Sequence, residues 1–231
     1  MFLLPEVYWE IKKTKNKGRG VFANKPIRQG VVIGDYVGKV VQLKDVDFEK
    51  EKKNLYLMYY DDETGIYPDL KKPGIYLLNH SCSPNCWITK FRNHTIVFAL
   101  KNIRKGSELT ISYLLPPKMT CNPCSHNCLC KSDSCTGSMH LTEDGYNTWQ
   151  KFQNELHRGR AAKYLSDSST YARSSSRQSR QGILKQNKGG KKDIPETQGI
   201  GSELKPLKNY PKVISKKLIR EIKMLQTKLY R

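Results

Sequence analysis

The sequence predicts a mostly β (α+β) domain of many short strands, followed by a cysteine-rich segment and a basic C-terminal tail. Three observations carry this. Over residues 7–113, short β-branched and aromatic runs alternate with glycines and turn residues. Five of the seven cysteines lie within the fifteen residues 121–135. Charge is split unevenly: residues 1–150 hold 21 Lys/Arg against 15 Asp/Glu, whereas residues 151–231 hold 20 against 6.

The elements follow in order. Val21-Phe22, Val31-Val32-Ile33 and Tyr36-Val37 read as strand pieces, with Gly18, Gly20, Gly30, Gly34 and Gly38 between them. Residues 42–54 are charged and suit a short helix. Tyr56–Tyr60 reads as a strand, 61–65 as a turn, His94–Leu100 as a strand, and Leu109–Tyr113 as another after the Lys105-Gly106 turn. The β domain takes residues 5–117 and the cysteine-rich segment 118–140. Residues 141–165 carry a helical pattern around Trp149, Phe152 and Leu156. Residues 166–208, rich in Ser, Arg, Lys, Gln and Gly, are expected to be a disordered basic linker. In residues 209–231, Val213, Ile214, Leu218, Ile219, Ile222, Leu225 and Leu229 recur at helical spacing between lysines, the pattern of an amphipathic basic helix. Such a helix can dock on the domain, pair with a partner or lie on an acidic surface.

The 37% hydrophobic content is low for a fully packed chain of 231 residues. No segment approaches the roughly 20 apolar residues of a membrane span. The opening Met1–Glu6 is too short for a signal h-region. The expectation is an intracellular protein of nucleus or cytoplasm. A formal net charge of +20, concentrated in the tail, suits an acidic partner such as nucleic acid; a merely solvated tail is the plainer reading.

Four motifs carry chemistry. Gly18-Arg-Gly20-Val-Phe-Ala23 fits a dinucleotide fingerprint in letters only. That fingerprint must open a helix, and Pro26 and Gly30 follow instead; a tight glycine turn remains. Asn79-His80-Ser81-Cys82-Ser83-Pro84-Asn85-Cys86 concentrates amides and an imidazole in a loop after an apolar run, beyond what a turn alone requires. Glu108-Leu-Thr-Ile-Ser-Tyr113 alone is an ordinary strand. Cys128-x-Cys130-x₄-Cys135 offers three thiolates where tetrahedral zinc takes four ligands, and Cys82 is the natural fourth. An odd cysteine number without a secretion signal favours metal over disulfides.

In this order, the pieces resemble the SET-domain lysine methyltransferases. Gly18-Arg-Gly20-Val-Phe22 is similar to the family's opening glycine turn and Tyr36-Val-Gly38 to its Y-x-G strand. Asn79–Asn85 matches N-H-S-C-x-P-N, Glu108–Tyr113 matches E-L-T-x-x-Y, and Cys128–Cys135 matches the post-SET pattern C-x-C-x₄-C. The resemblance covers roughly residues 7–140. It implies a β-clip-like fold of small curled sheets with a knot-like crossing that joins the Asn79 segment to the Tyr113 strand, plus a zinc-bound post-SET loop.

The resemblance also implies roles. Gly18, Arg19 and Gly20 would present backbone to S-adenosylmethionine, with Lys13 as a basic contact. Asn79 and His80 would hold the cofactor through side-chain and backbone hydrogen bonds, and Tyr56 would border both cofactor and channel. Tyr36 and Tyr113 would line the lysine channel, the Tyr113 hydroxyl lying near the transferred methyl. Cys82, Cys128, Cys130 and Cys135 would bind zinc, closing the post-SET loop over the channel. The substrate would be a protein lysine, of a histone or another basic protein.

Three features depart from the pattern. Ile111 stands where the family usually has Phe or Tyr, and the smaller residue leaves room that favours di- or trimethylation. An additional Cys121-x-x-Cys124 can join a second metal site with His126 or His140, or compete for the first. A cysteine-rich pre-SET module does not precede the domain in this sequence. The competing functions are a non-catalytic SET-fold module that recruits nucleic acid or chromatin through its tail, and a plain zinc-stabilised nucleic-acid binder. The second explains the cysteines and the charge but leaves the other motifs as coincidence.

Overall fold

Short β-branched and aromatic runs between turn residues become strands in the computed structural model, which describes residues 1–48, 55–60, 63–92, 94–118, 124–155 and 201–230; among these are ten strands and two α-helices of more than ten residues. The strands are β1 (Trp9–Lys13), β2 (Arg19–Ala23), β3 (Val32–Asp35), β4 (Lys39–Gln42), β5 (Met58–Tyr59), β6 (Thr64–Tyr67), β7 (Asn79–His80), β8 (Cys86–Phe91), β9 (His94–Ala99) and β10 (Glu108–Ile111); the helices are α1 (Glu143–Glu155) and α2 (Lys216–Leu229). They form three small sheets, ordered β1-β2-β10-β7, β3-β9-β8 and β4-β6-β5. The mostly β expectation holds.

Every residue of β9, His-Thr-Ile-Val-Phe-Ala, is buried, because this strand is the middle of its sheet and is covered on both faces. The pairing that matters most for function is β7 with β10. It is parallel, with Asn79 opposite Thr110 and His80 opposite Ile111. Asn85 locks the loop after β7 onto β10: its amide donates to the Glu108 carbonyl at 2.7 Å, and its side-chain oxygen accepts from the Thr110 N–H at 2.9 Å. The two signature segments, about thirty residues apart in sequence, therefore lie side by side.

Two apolar clusters fill the interior. One joins the three sheets through Val21, Ile33, Val40, Ile66, Ile75 and Leu109. The other joins Trp87, Phe98 and Leu100 to Ile214, Leu218, Ile222, Leu225 and Leu229 of the tail. The tail helix is thus docked on the domain. Ser215 caps it, its hydroxyl accepting from the Leu218 N–H. The preceding segment is stitched to β3 by Ile214 N–H to Gly30 O and Val32 N–H to Lys212 O.

The disordered linker expected over 166–208 needs correction at its end. Residues 166–200 lie outside the described residues, but Gly201–Leu204 run along the edge of β4. Val40 N–H donates to Ser202 O, Leu204 N–H donates to Gly38 O, and Leu204 is 1% exposed. An open strand edge and an apolar socket outweigh the polar composition of the segment. Of the short helix expected over 42–54, the described part holds a 3-10 turn, Leu43–Asp45, and a helical residue at Phe48; residues 49–54 lie outside the described residues. Of the helical pattern over 141–165, residues 156–165 lie outside the described residues.

Candidate active site and cysteine centre

The glycine turn and the Asn79 strand meet across the first sheet. Gly18 has φ +71°, in the left-handed region. Thr14 closes the turn, its N–H and hydroxyl both donating to Gly18 O. At Gly20 a Cβ would sit 2.8 Å from Asn79 Nδ2 and 2.8 Å from Glu108 Oε1, so the backbone of β2 lies flush against the Asn79 amide. Asn79 Nδ2 donates to Arg19 O at 3.1 Å and to Glu108 Oε1 at 2.8 Å. Lys17 Nζ holds the other Glu108 oxygen at 2.5 Å. Lys13 and Arg19 pair across the ends of β1 and β2, both exposed.

The tyrosines gather beside this cradle. Tyr36, 4% exposed, donates its hydroxyl to the Tyr56 carbonyl. The Tyr56 ring meets Tyr76 edge to face at 5.3 Å. Tyr113 donates its hydroxyl to Leu78 O at 3.2 Å. Burial, with Tyr56 and Glu108 adding, pushes the Tyr113 phenol above its ordinary value. All four rings belong to the first apolar cluster. The structure therefore brings Tyr36, Tyr56 and Tyr113 together with Asn79 on the next strand.

His80 is placed differently from its neighbours. It is 3% exposed, and its ring points inward. Nδ1 accepts from the Tyr113 N–H at 3.2 Å, which leaves the proton on Nε2, 3.6 Å from Cys82 Sγ. Burial first, and the Lys17 charge second, lower its pKa to about 4, so the ring is neutral. A side-chain bond from His80 to a cofactor is thus not what the geometry provides. The imidazole instead couples the tyrosine strand to the cysteine cluster, and only the backbone of His80 is left to face a ligand.

Cys82, Cys128, Cys130 and Cys135 place their sulfurs all within 4.8 Å of one another. Sulfurs sharing one tetrahedral zinc at about 2.3 Å lie roughly 3.8 Å apart, and Cys82 and Cys128 are separated by 3.6 Å. These cysteines are free thiols, not disulfides. Burial pushes Cys82 and Cys128 up. At Cys130 burial is outweighed by hydrogen bonds from the Ser132 hydroxyl and amide, which bring it to about 6. The donor set fits zinc. Among the described residues a second group, Cys124, His126 and His140, also converges; Cys121 lies outside them.

Sequence reasoning passed over the Lys17–Glu108 pair that orients Asn79, because its members are 91 residues apart and Glu108 reads as an ordinary strand residue. It likewise missed Tyr230, whose hydroxyl bonds Ser112 at 2.6 Å and whose ring packs on His80 at 5.9 Å. The C-terminal Tyr230 carried no local signal.

Comparison with known proteins agrees with this arrangement. Residues 18–114 match the SET domain. The chain is 34% identical over 152 residues to a variant-silencing SET domain-containing protein of Plasmodium falciparum, covering 59% of this chain and 6% of that protein. It is 30% identical over 137 residues to the histone-lysine N-methyltransferase, H3 lysine-36 specific, of Saccharomyces cerevisiae, covering 55% and 18%. It is 29% identical over 127 residues to the histone-lysine N-methyltransferase trithorax of Drosophila virilis, covering 51% and 3%. The match thus spans a small part of each relative's length.

Proposed function

We propose that this chain, whose residues 18–114 match the SET domain, transfers methyl groups from S-adenosylmethionine to the side-chain amine of a lysine in a protein, a histone or another basic protein. One observation carries this reading. The Asn79 and Glu108–Ile111 strands are paired, Gly20 lies flush against Asn79, and Tyr36, Tyr56 and Tyr113 cluster alongside.

S-adenosylmethionine, when bound, supplies a methyl group on a positively charged sulfur. Gly18, Arg19 and Gly20 offer it backbone, with no side chain at position 20 to fill the space before Asn79. Lys13 and Arg19 provide positive charge toward a carboxylate. The Asn79 amide and the His80 backbone hold the amino-acid portion, and Tyr56 borders cofactor and channel. A lysine amine, with an ordinary pKa near ~10.4, must be neutral to attack. An aromatic channel lined by Tyr36 and Tyr113 disfavours the ammonium by desolvation. The Tyr113 phenol keeps its proton on Leu78 O, leaving lone pairs to orient the amine and to make weak C–H···O contacts to the methyl. Alignment supplies much of the rate. Ile111, 5% exposed, favours di- or trimethylation. Cys82, Cys128, Cys130 and Cys135 would hold a zinc ion, which would tie the post-SET segment to the loop after β7 beside the channel.

The test uses labelled S-adenosylmethionine with a panel of histones and other basic proteins, beside Tyr113→Phe. Transfer to lysine that drops in the variant, with cofactor binding kept, is the expected result; mass spectrometry of the product counts the methyls. Failure of the chain to bind cofactor at all overturns the reading. A second reading has its own observation: Lys216, Lys217, Arg220, Lys223 and Lys228 are all exposed along α2, an outward basic face suited to nucleic acid or chromatin. The relatives' histone-directed names suit a nuclear site of action. Binding to duplex DNA that weakens steeply with salt supports this face as the contact; binding unchanged by Lys216→Glu with Arg220→Glu removes it.

A further inference from the structure

We propose that Cys124, His126 and His140 hold a second zinc ion, separate from the four-cysteine centre and in addition to the methyl-transfer site. Their ligand atoms all lie within 4.8 Å of one another. Cys124 Sγ is 3.3 Å from His140 Nε2 and 3.9 Å from His126 Nδ1, and the two nitrogens are 3.0 Å apart. Zinc at about 2.3 Å from sulfur and about 2.0–2.1 Å from nitrogen requires separations of roughly 3.6 Å for S···N and 3.3 Å for N···N. The two S···N distances lie on either side of the first value, and the N···N distance falls roughly 0.3 Å short of the second, a gap that a small ring rotation closes.

The orientation of His140 adds an independent argument. Its Nδ1 donates to the Pro116 carbonyl. That bond fixes the tautomer and leaves the Nε2 lone pair aimed at Cys124 and His126, the second-shell arrangement that metal-bound histidines use. A single lone pair cannot serve both a thiol and an imidazole as donors. A cation between them satisfies all three atoms. His126 and His140 are 8% and 6% exposed, and burying this much polar surface is costly unless it is matched.

The placement in the chain gives the ion a task. Asn127 bridges Ser138, making residues 124–140 a hairpin. Cys128, Cys130 and Cys135 lie on its tip side; Cys124, His126 and His140 lie at its base. The base is also where His140 pairs with Leu115 and where Leu141 N–H donates to Leu115 O, just past β10. One zinc shapes the tip against Cys82, and the second anchors the base to the exit of the strand that leads to Tyr113. Among the described residues three ligands converge, so water or a further ligand would complete the shell of this second ion.

The zinc-loaded full chain, desalted, is measured by native mass spectrometry and zinc-edge X-ray absorption. Two zinc ions per chain with an average shell of mixed sulfur and nitrogen is the expected result. The double variant His126→Ala/His140→Ala should lose one zinc and show a sulfur-only shell. One zinc per chain with a sulfur-only shell in the unaltered protein overturns the proposal, as do two zinc ions with no nitrogen. The absorption measurement needs no variant, so a misfolded double variant does not blunt the test. One zinc with a mixed shell that is lost in the double variant upholds this site and overturns the four-cysteine centre.

Discussion

Gly145→Ala separates two effects of opposite sign. Gly145 is the third residue of α1, and its N–H donates to the Thr142 hydroxyl at 3.1 Å, a helix cap. In an exposed helix, replacing glycine by alanine gains about 1 kcal/mol through propensity. Here a Cβ at position 145 would lie 2.2 Å from the Leu229 carbonyl oxygen and 2.8 Å from its carbonyl carbon. Carbon contacts ordinarily settle at about 3.5 Å or more, so the two helices must part by roughly 1 Å. The obstacle is backbone and cannot swing aside. Parting the helices also unseats Leu229 and Leu225, 0% and 5% exposed. Overpacking of this kind costs about 1–3 kcal/mol, which exceeds the propensity gain at all but its lower end. Set against that gain, the expected net change is a destabilisation of about 0–2 kcal/mol. The assay is urea unfolding of the zinc-loaded full chain, read as a lowered midpoint at constant slope. A variant more stable than the parent would refute the argument, because α2 would then not be seated where the packing requires.

Three further expectations can be measured on the same protein. Ile222→Ala, at a fully buried position of α2, should cost about 2–5 kcal/mol, whereas Lys223→Ala on the exposed face should stay within about 0.5 kcal/mol; equal effects would mean that the helix is not packed. His80 is lowered by burial, and secondarily by Lys17, from 6.5 to about 4, so the unfolded chain binds the extra proton first. Its contribution is intact above pH 6.5 and falls away toward pH 4, by about 3 kcal/mol at about 1.4 kcal/mol per pH unit. His80→Gln should flatten that acid limb of the urea midpoint, and an unchanged limb would count against it. Gly20→Ala should displace the Asn79 amide from Arg19 O and Glu108. Losing two hydrogen bonds of about 1 kcal/mol each should weaken S-adenosylmethionine binding by about tenfold or more, and calorimetry showing unchanged affinity would remove Asn79 from the cofactor site.

Much of this protein is written in local chemistry. Gly18 marks a left-handed turn because little else adopts φ +71° cheaply. The strands announce themselves by β-branched runs between turn residues, as in the fully buried β9. The cysteine spacing from 128 to 135 already points to a metal, since thiolates crowded over so few residues need a shared cation or oxidation. The Asn79 and Glu108 signatures gain their meaning from residue type and order, without any distance being known.

What tertiary structure alone decided lies between residues far apart in the chain. Lys17 with Glu108, Ser112 with Tyr230 and Asp35 with Tyr210 span 91, 118 and 175 residues. No periodicity reports such partners. The tail shows the same limit: its apolar stripe identified a helix, but whether that stripe would meet this domain, a partner or an acidic surface depended on an exposed apolar face around Trp87 and Phe98 that only folding creates. Leu204, in a segment whose composition reads as disordered, is buried because the edge of β4 offered hydrogen bonds and a socket that composition cannot reveal. His80 turned inward for the same reason. Tyr113 takes one of its ring nitrogens and Cys82 faces the other, an arrangement that exists only once β7 and β10 are paired.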